Sequence, residues 1–149
     1  MRFVCQRVLE AEVKISDQSV GKIDRGLLVF LGVGKGDTED DARFISDKLV
    51  NLRIFPDEEG KMNRSVQDIG GAILLISNFT LYGDCRKGRR PGFDNAAGPE
   101  LAEPIYEKVI SLIAEQGVPV EKGTFGEYMH ITCLNDGPVT FILDSSKFF

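Results

Sequence analysis

The chain of 149 residues and 16.5 kDa has the size of one domain, with a radius of gyration of roughly 15 Å, so residues 1–149 are expected to share one core. With 42% hydrophobic and 28% charged residues it resembles neither a disordered chain nor a disulfide-stapled miniprotein. Eighteen Lys and Arg stand against 23 Asp and Glu, a net charge of -5, which excludes a protein held on nucleic acid by bulk charge alone.

Cys5, Cys85, Cys133 and the lone His130 lack the spacing of a zinc site, so neither metal nor cofactor is expected. The longest apolar stretch, Gly26 to Gly34, is far too short to cross a bilayer. The opening MRFVCQRVLEAEV puts charges where a signal peptide needs an apolar block. No membrane partner and a cytoplasmic location are expected.

Phe3 to Val8 is β-like, and Ala11, Val13 and Ile15 alternate with Glu12 and Lys14 as a half-buried strand does. A hairpin is expected through Asp17 to Gly21. GLLVFLGV, Gly26 to Val33, is continuously apolar and suits a central strand buried on both faces. From Thr38 the spacing turns helical, with Ala42, Ile45, Leu49 and Leu52 on one face, acidic residues in the first turn and Asp37 or Thr38 as cap.

Arg53 to Phe55 reads as a short strand closed by PDEEG, and Gly60 to Val66 as a hairpin or loop. AILLIS, Ala72 to Ser77, is the second buried strand. Tyr82 to Gly98 follows as a long polar, glycine-rich loop, a class that usually carries function. Pro99 opens a helix with an apolar stripe of Leu101, Ile105, Val109, Leu112 and Ile113, stopped by Gly117. Pro104, one turn too deep, predicts a kink or a later start. Two strands, Tyr128 to Leu134 and Val139 to Leu143, are expected around NDGP. The order predicts an α/β fold of mixed, largely antiparallel sheets in layers, with two helices against one side.

Gly32, Gly34 and Gly36 sit where a dinucleotide-binding turn would, but the third glycine of that fingerprint is replaced by Asp37, and four carboxylates at the helix start repel a pyrophosphate. A tight strand-to-helix connection is the better reading. His130, alone in an alternating strand, is given no role. Ser77 and Thr80 have no lysine or histidine beside them in sequence, which disfavours a protein nucleophile. Cys5 and Cys133 read as small core residues, whereas Cys85 has Arg86 and Lys87 beside it, neighbours that lower a thiol pKa.

Arg86, Lys87, Arg89 and Arg90 surround Gly88 and form the one concentrated positive run. It is either a solvated loop or an arm that grips phosphate. SNFTLYGD, Ser77 to Asp84, ends a buried strand with hydroxyls and an amide, a place from which binding groups project. NDGPVTF, Asn135 to Phe141, puts a Gly-Pro bond in a tight connection, and base rates alone predict trans.

QRV (Gln6 to Val8), GLLVFLGV, RIFPDEEGKMN (Arg53 to Asn63), SNFTL, RRPGF (Arg89 to Phe93) and NDGPVTF occur in an order that resembles the D-aminoacyl-tRNA deacylases over essentially the whole chain. The family's Ser-Gln-x-x-Leu motif appears as Ser77-Asn78-Phe79-Thr80-Leu81, with a side chain one methylene shorter at its second position. The resemblance implies that family's layered fold and a homodimer in which Ser77 and Asn78 of one subunit meet Gly137 and Pro138 of the other. It implies a cis Gly137-Pro138 bond whose main-chain carbonyl oxygens exclude an L side chain, with Arg7 supporting that loop.

It further implies hydrolysis of the ester at the 3′ end of D-aminoacyl-tRNA; a pocket that works by excluding the L substituent cannot exclude a substrate that has none, so glycyl-tRNA is also expected to be cleaved. Main-chain N–H groups of Phe79 and Thr80 are the expected oxyanion donors, and the ribose 2′-hydroxyl the proton handler. Arg86, Lys87, Arg89 and Arg90 would contact tRNA. A noncatalytic tRNA-binding module and an esterase with Thr80 as nucleophile are the alternatives.

Overall fold

The computed structural model describes residues 1–148. Strand β1 (Arg2–Ile15) turns through Ser16 and Asp17, both at positive φ, into β2 (Gln18–Ile23), and β3 (Gly26–Gly32) follows. Helix α1 (Glu39–Asn51) comes next, then a small hairpin of β4 (Phe55–Pro56) and β5 (Met62–Arg64). Strand β6 (Ala72–Ser77) leads through one 3-10 turn (Phe79–Tyr82) and an irregular segment to α2 (Pro99–Glu115), β7 (Val120–Lys122) and β8 (His130–Asp144).

The main sheet is mixed, in the order β2-β1-β3-β6-β7, with β8 on the other edge of β1. Strands β3, β6 and β7 run parallel, and the pairs made by β1 are antiparallel. This is the layered α/β arrangement that the order of elements predicts.

Long β1 passes its pairing from β3, over Arg2–Val8, to β2, over Ala11–Ile15. Its register against β8 slips on both sides of Val8, and Leu9 and Glu10 are both exposed. Such an irregularity shifts the two-residue side-chain phase. Phe3 and Cys5 therefore pack with α1 and α2 on one face, while Ala11 and Val13 pack with Ile23, Leu28, Leu74 and Ile76 on the other. Strand β2 lies close over β7. A Cβ at Gly21 would stand 2.8 Å from the Lys122 carbonyl oxygen, so the approach requires glycine.

Both helices lie against the first face, held by Ile45 and Leu49 of α1 and by Val109 and Ile113 of α2. Thr38 is the cap of α1, and the Asp41 carboxylate accepts from its N–H at 2.9 Å.

Several sequence expectations are corrected. Leu101 is exposed, and Ala102 and Tyr106 take its place, because the buried stripe Ala102, Ile105, Tyr106, Val109, Leu112 and Ile113 keeps the three-and-four spacing that leaves Leu101 to one side; α2 starts at Pro99, not later, and runs through Pro104 as one element. The two strands expected around NDGP belong to one strand, β8, because β1 pairs with the chain on both sides of residues 136–139. Cys133 is exposed rather than a core residue, since β8 is an edge strand; Cys5 is buried, which pushes its thiol up to about 12 despite a hydrogen bond from the Phe141 backbone. Strand β7 has no sequence signal that marks it.

Candidate active site

Parallel strands β3 and β6 end together, Leu31 opposite Ser77, and the Asn78 N–H donates to the Leu31 carbonyl at 2.8 Å. At this carboxyl end, where open α/β sheets bind ligands, a cleft of about 670 Å³ opens. Ser77, Asn78, Phe79 and Thr80 form one wall, and Phe125, Tyr128 and Met129 belong to another. Phe79 is 57% exposed and meets Phe93 edge to face at 5.0 Å, which ties the turn to the glycine-rich segment.

The Asn78 side chain folds back on its own turn. Its Oδ1 accepts from the Thr80 N–H at 3.1 Å and from the Thr80 hydroxyl at 2.5 Å. Of the two expected oxyanion donors, the Thr80 N–H is thus already engaged, whereas the Phe79 N–H has no acceptor among the described residues. The partner of the Thr80 hydroxyl is an amide oxygen, which is no general base.

The titratable side chains that line the cleft are Tyr106, Glu127 and Tyr128. The Tyr106 hydroxyl donates to the Leu75 carbonyl at 2.7 Å, and burial, helped by Glu107, holds its phenol above the usual range. Below the turn, Arg2 donates to Asp144 at 2.8 Å and to the Leu81 carbonyl at 3.3 Å while stacking on Tyr82. The sequence reading overlooked Phe125, Glu127, Tyr128 and Met129 as cleft residues, because it gave GTFGE no element and placed Tyr128 and Met129 in a strand whose alternation does not say which face meets the cleft.

Gly137 and Pro138 lie in a four-residue excursion of β8 between Asn135, opposite Val8, and Thr140, opposite Gln6. Their peptide bond is cis, as the resemblance implies and against the unaided expectation. A Cβ on Gly137 would fall 2.2 Å from the Val139 nitrogen, so the loop has no room for a side chain there.

Polar clasps hold this loop. Arg7 donates through Nε to the Asp136 carbonyl at 3.0 Å and through Nη1 to the Ile54 carbonyl at 2.7 Å, and it pairs with the Asp136 carboxylate at 3.1 Å. The Asn135 amide donates to the Arg7 and Val139 carbonyls at 3.3 and 3.0 Å and accepts from the Val139 N–H at 3.2 Å. Asn135 and Asp136, which the sequence reading left without a role, belong to the support that it gave to Arg7. Gly137 and Pro138 do not line the cleft of their own chain.

In the basic run, Arg86 is no free cation. Its Nε and Nη2 donate to Asp84 at 2.9 and 2.6 Å, and these bonds, strongest first from the Arg86 side chain, hold the Asp84 carboxyl well below its usual range. Lys87, Arg89 and Arg90 are exposed. His130 is also exposed, edge to face with Tyr128 at 5.3 Å, and lies outside the cleft lining.

A layered α/β sheet with a cleft where its parallel strands end defines the class. Among solved structures, the protein named c-Myc DNA Unwinding Element Binding Protein superposes with a TM-score of 0.92 at 37% identity, covering 97% of this chain and 98% of its own. A probable eukaryotic D-amino acid tRNA deacylase superposes with a TM-score of 0.80 at 19% identity over 95% and 97% of the two chains, a likeness of fold. The family model described as D-Tyr-tRNA(Tyr) deacylase matches residues 4–144. The D-aminoacyl-tRNA deacylase of Thermotoga petrophila is 56% identical over 149 residues, 100% of both chains. That of Thermus aquaticus is 54% identical over 147 residues, 99% of this chain and 97% of its own. The chain belongs to this deacylase family and is an enzyme, an ester hydrolase.

Proposed function

We propose that the chain hydrolyses the ester joining a D-amino acid to the 3′ end of tRNA in the cytoplasm, accepts glycyl-tRNA, and rejects L-aminoacyl-tRNA by main-chain exclusion. The observation that carries the reading is the Thr80 hydroxyl, which donates to an amide oxygen in a cleft without lysine, arginine, histidine or cysteine in its lining. Such a wall supports polarisation of a carbonyl and offers no activated nucleophile.

Water adds to the ester carbonyl, the ester C–O bond breaks, and the ribose 3′-oxygen leaves with a proton that the water surrenders. The Phe79 N–H faces the oxyanion, and the neighbouring 2′-hydroxyl, held in place by the substrate, relays the proton. The Gly137 and Pro138 carbonyl oxygens that judge handedness belong to a second copy of the chain, a reading supported by their absence from the lining of their own cleft. Main-chain atoms clasped by Arg7 and Asn135 cannot swing aside as a side chain can. Exclusion of a substituent leaves glycine, which has none, as a substrate. Lys87, Arg89 and Arg90, with Arg86 shared with Asp84, suit the phosphates of the tRNA.

Deacylation of D-tyrosyl-, L-tyrosyl- and glycyl-tRNA at matched enzyme concentration tests this reading. The first and third are released and the second is spared. Glycyl-tRNA as resistant as L-tyrosyl-tRNA sinks the exclusion account. A 2′-deoxy terminal adenosine stops turnover, while Thr80→Val leaves substantial activity. Loss of all turnover in Thr80→Val with a trapped acyl-enzyme in the parent would instead identify Thr80 as nucleophile, and tRNA binding without release would identify a noncatalytic module.

A further inference from the structure

We infer that the Phe79 and Phe93 rings form a stacking step for an unpaired nucleobase, that of the nucleotide preceding the aminoacylated terminal one at the 3′ end of the substrate. The inference rests on the deacylase reading above and adds to it a site for a second nucleotide.

The two rings meet edge to face, with 5.0 Å between centroids and 70° between planes. In that geometry each ring keeps at least one π-face clear of the other. Phe79 is 57% exposed and Phe93 37%, and neither belongs to the buried clusters formed by the described residues. Apolar surface gathered at the mouth of a cleft suits a ligand that brings an apolar face of its own.

The surroundings of the pair select the ligand. Phe93 follows a narrow bridge in which the Asp84 and Gly92 N–H groups donate to each other's carbonyls at 2.8 and 3.0 Å. That bridge fixes the foot of the loop that carries exposed Arg89 and Arg90. A Cβ at Gly83 would stand 3.0 Å from the Thr80 carbonyl oxygen and 3.3 Å from the Phe93 ring, so the chain leaving the turn also passes tightly against Phe93. Phe79 on the cleft wall thus touches Phe93, and Phe93 adjoins the foot of the cationic loop. A single-stranded RNA end matches this succession, because its phosphates take the cations while its bases offer flat π-faces to aromatic rings. With the terminal nucleotide in the cleft, the base before it lies over the ring pair. Across the cleft Tyr128 is 81% exposed, but it adjoins Glu127, whose carboxylate repels a phosphate chain.

The test pairs a variant with a substrate that lacks one base. D-tyrosyl-tRNA in which the nucleotide before the terminal adenosine is abasic should show kcat/KM lowered about tenfold or more with the parent enzyme. Phe93→Leu, which keeps an apolar side chain but loses the ring, should lower kcat/KM on the complete substrate by a similar factor. Variant and abasic substrate together should fall within about threefold of either change alone, because both remove the same contact. Phe93→Trp should stay within about threefold of the parent on the complete substrate.

An abasic substrate cleaved as well as the complete one overturns the inference, and so do losses that multiply in full when the two changes are combined. Should Phe93→Leu fail to fold, Phe93→Trp decides: its wider π-face should carry an abasic penalty at least equal to the parent's, and a smaller penalty overturns the inference. Each of these results leaves the deacylase reading intact, whereas a parent chain inert toward complete D-tyrosyl-tRNA would sink that reading instead.

Discussion

The 3-10 turn Phe79–Tyr82 and the excursion of β8 at residues 136–139 are both short irregular segments, yet they are held by different physics. The turn grows from β6, whose Ile73, Leu74 and Leu75 are fully buried between the two faces of the sheet. Its place is set by apolar packing beneath it. The excursion interrupts an edge strand with exposed Leu134 and Ile142, and its place is set by directional bonds from Arg7 and Asn135. Packing positions a whole segment with little regard to its polar atoms. Hydrogen bonds position particular carbonyls and fail one at a time.

The largest effect expected from this contrast is in stability. Leu75→Ala removes a fully buried side chain below the turn and should cost about 2–5 kcal/mol, read by urea denaturation, with the D-to-L activity ratio of the folded fraction unchanged. A cost under about 1 kcal/mol would show that the turn does not depend on packing below it. Arg7→Leu should do the reverse, costing about 1–2 kcal/mol while deacylation of D-tyrosyl-tRNA drops at least tenfold. Unchanged turnover in that variant would mean that the excursion needs no clasp.

Smaller still, Tyr106→Phe deletes the buried bond to the Leu75 carbonyl and should cost about 1 kcal/mol. The smallest is a pH effect at Asp144. Burial opposes its ionisation, but bonds from Ser146 and Arg2 outweigh burial and lower its pKa. A carboxylate with a folded-state pKa below its unfolded value adds stability above the unfolded value, near pH 4, and loses it as pH falls through the folded one. Asp144→Asn should therefore flatten the acid limb of a Tm-against-pH curve below about pH 4; an unaltered limb would assign that sensitivity elsewhere.

The turn after β6 was legible in the sequence because its cause is local. AILLIS is continuously apolar, and β6 spans the same residues, Ala72–Ser77, with Ser77 to Thr80 emerging from its end as expected. The clasped excursion was legible only in part. Asn135-Asp136-Gly137-Pro138 has the composition of a hairpin turn, and nothing local reveals that β1 pairs with the chain on both sides of it. Cys133 was misread for the same reason, since an alternating apolar pattern does not say whether a strand lies at an edge. The orientation of the Asn78 amide was beyond reach. Residues 78 and 80 are two apart in any conformation, and only the 3-10 turn brings both Thr80 donors onto one oxygen.

Arg86 is held by Asp84, so among the described residues the basic run offers three unshared cations, Lys87, Arg89 and Arg90, rather than four. Each phosphate neutralised on a nucleic acid frees somewhat less than one condensed counterion, so three contacts give a log–log dependence of affinity on salt with a slope of about -2 to -3. On the proposed reading, in which this arm contacts tRNA, the grip is loose, and the rate at which discharged tRNA departs should rise with ionic strength.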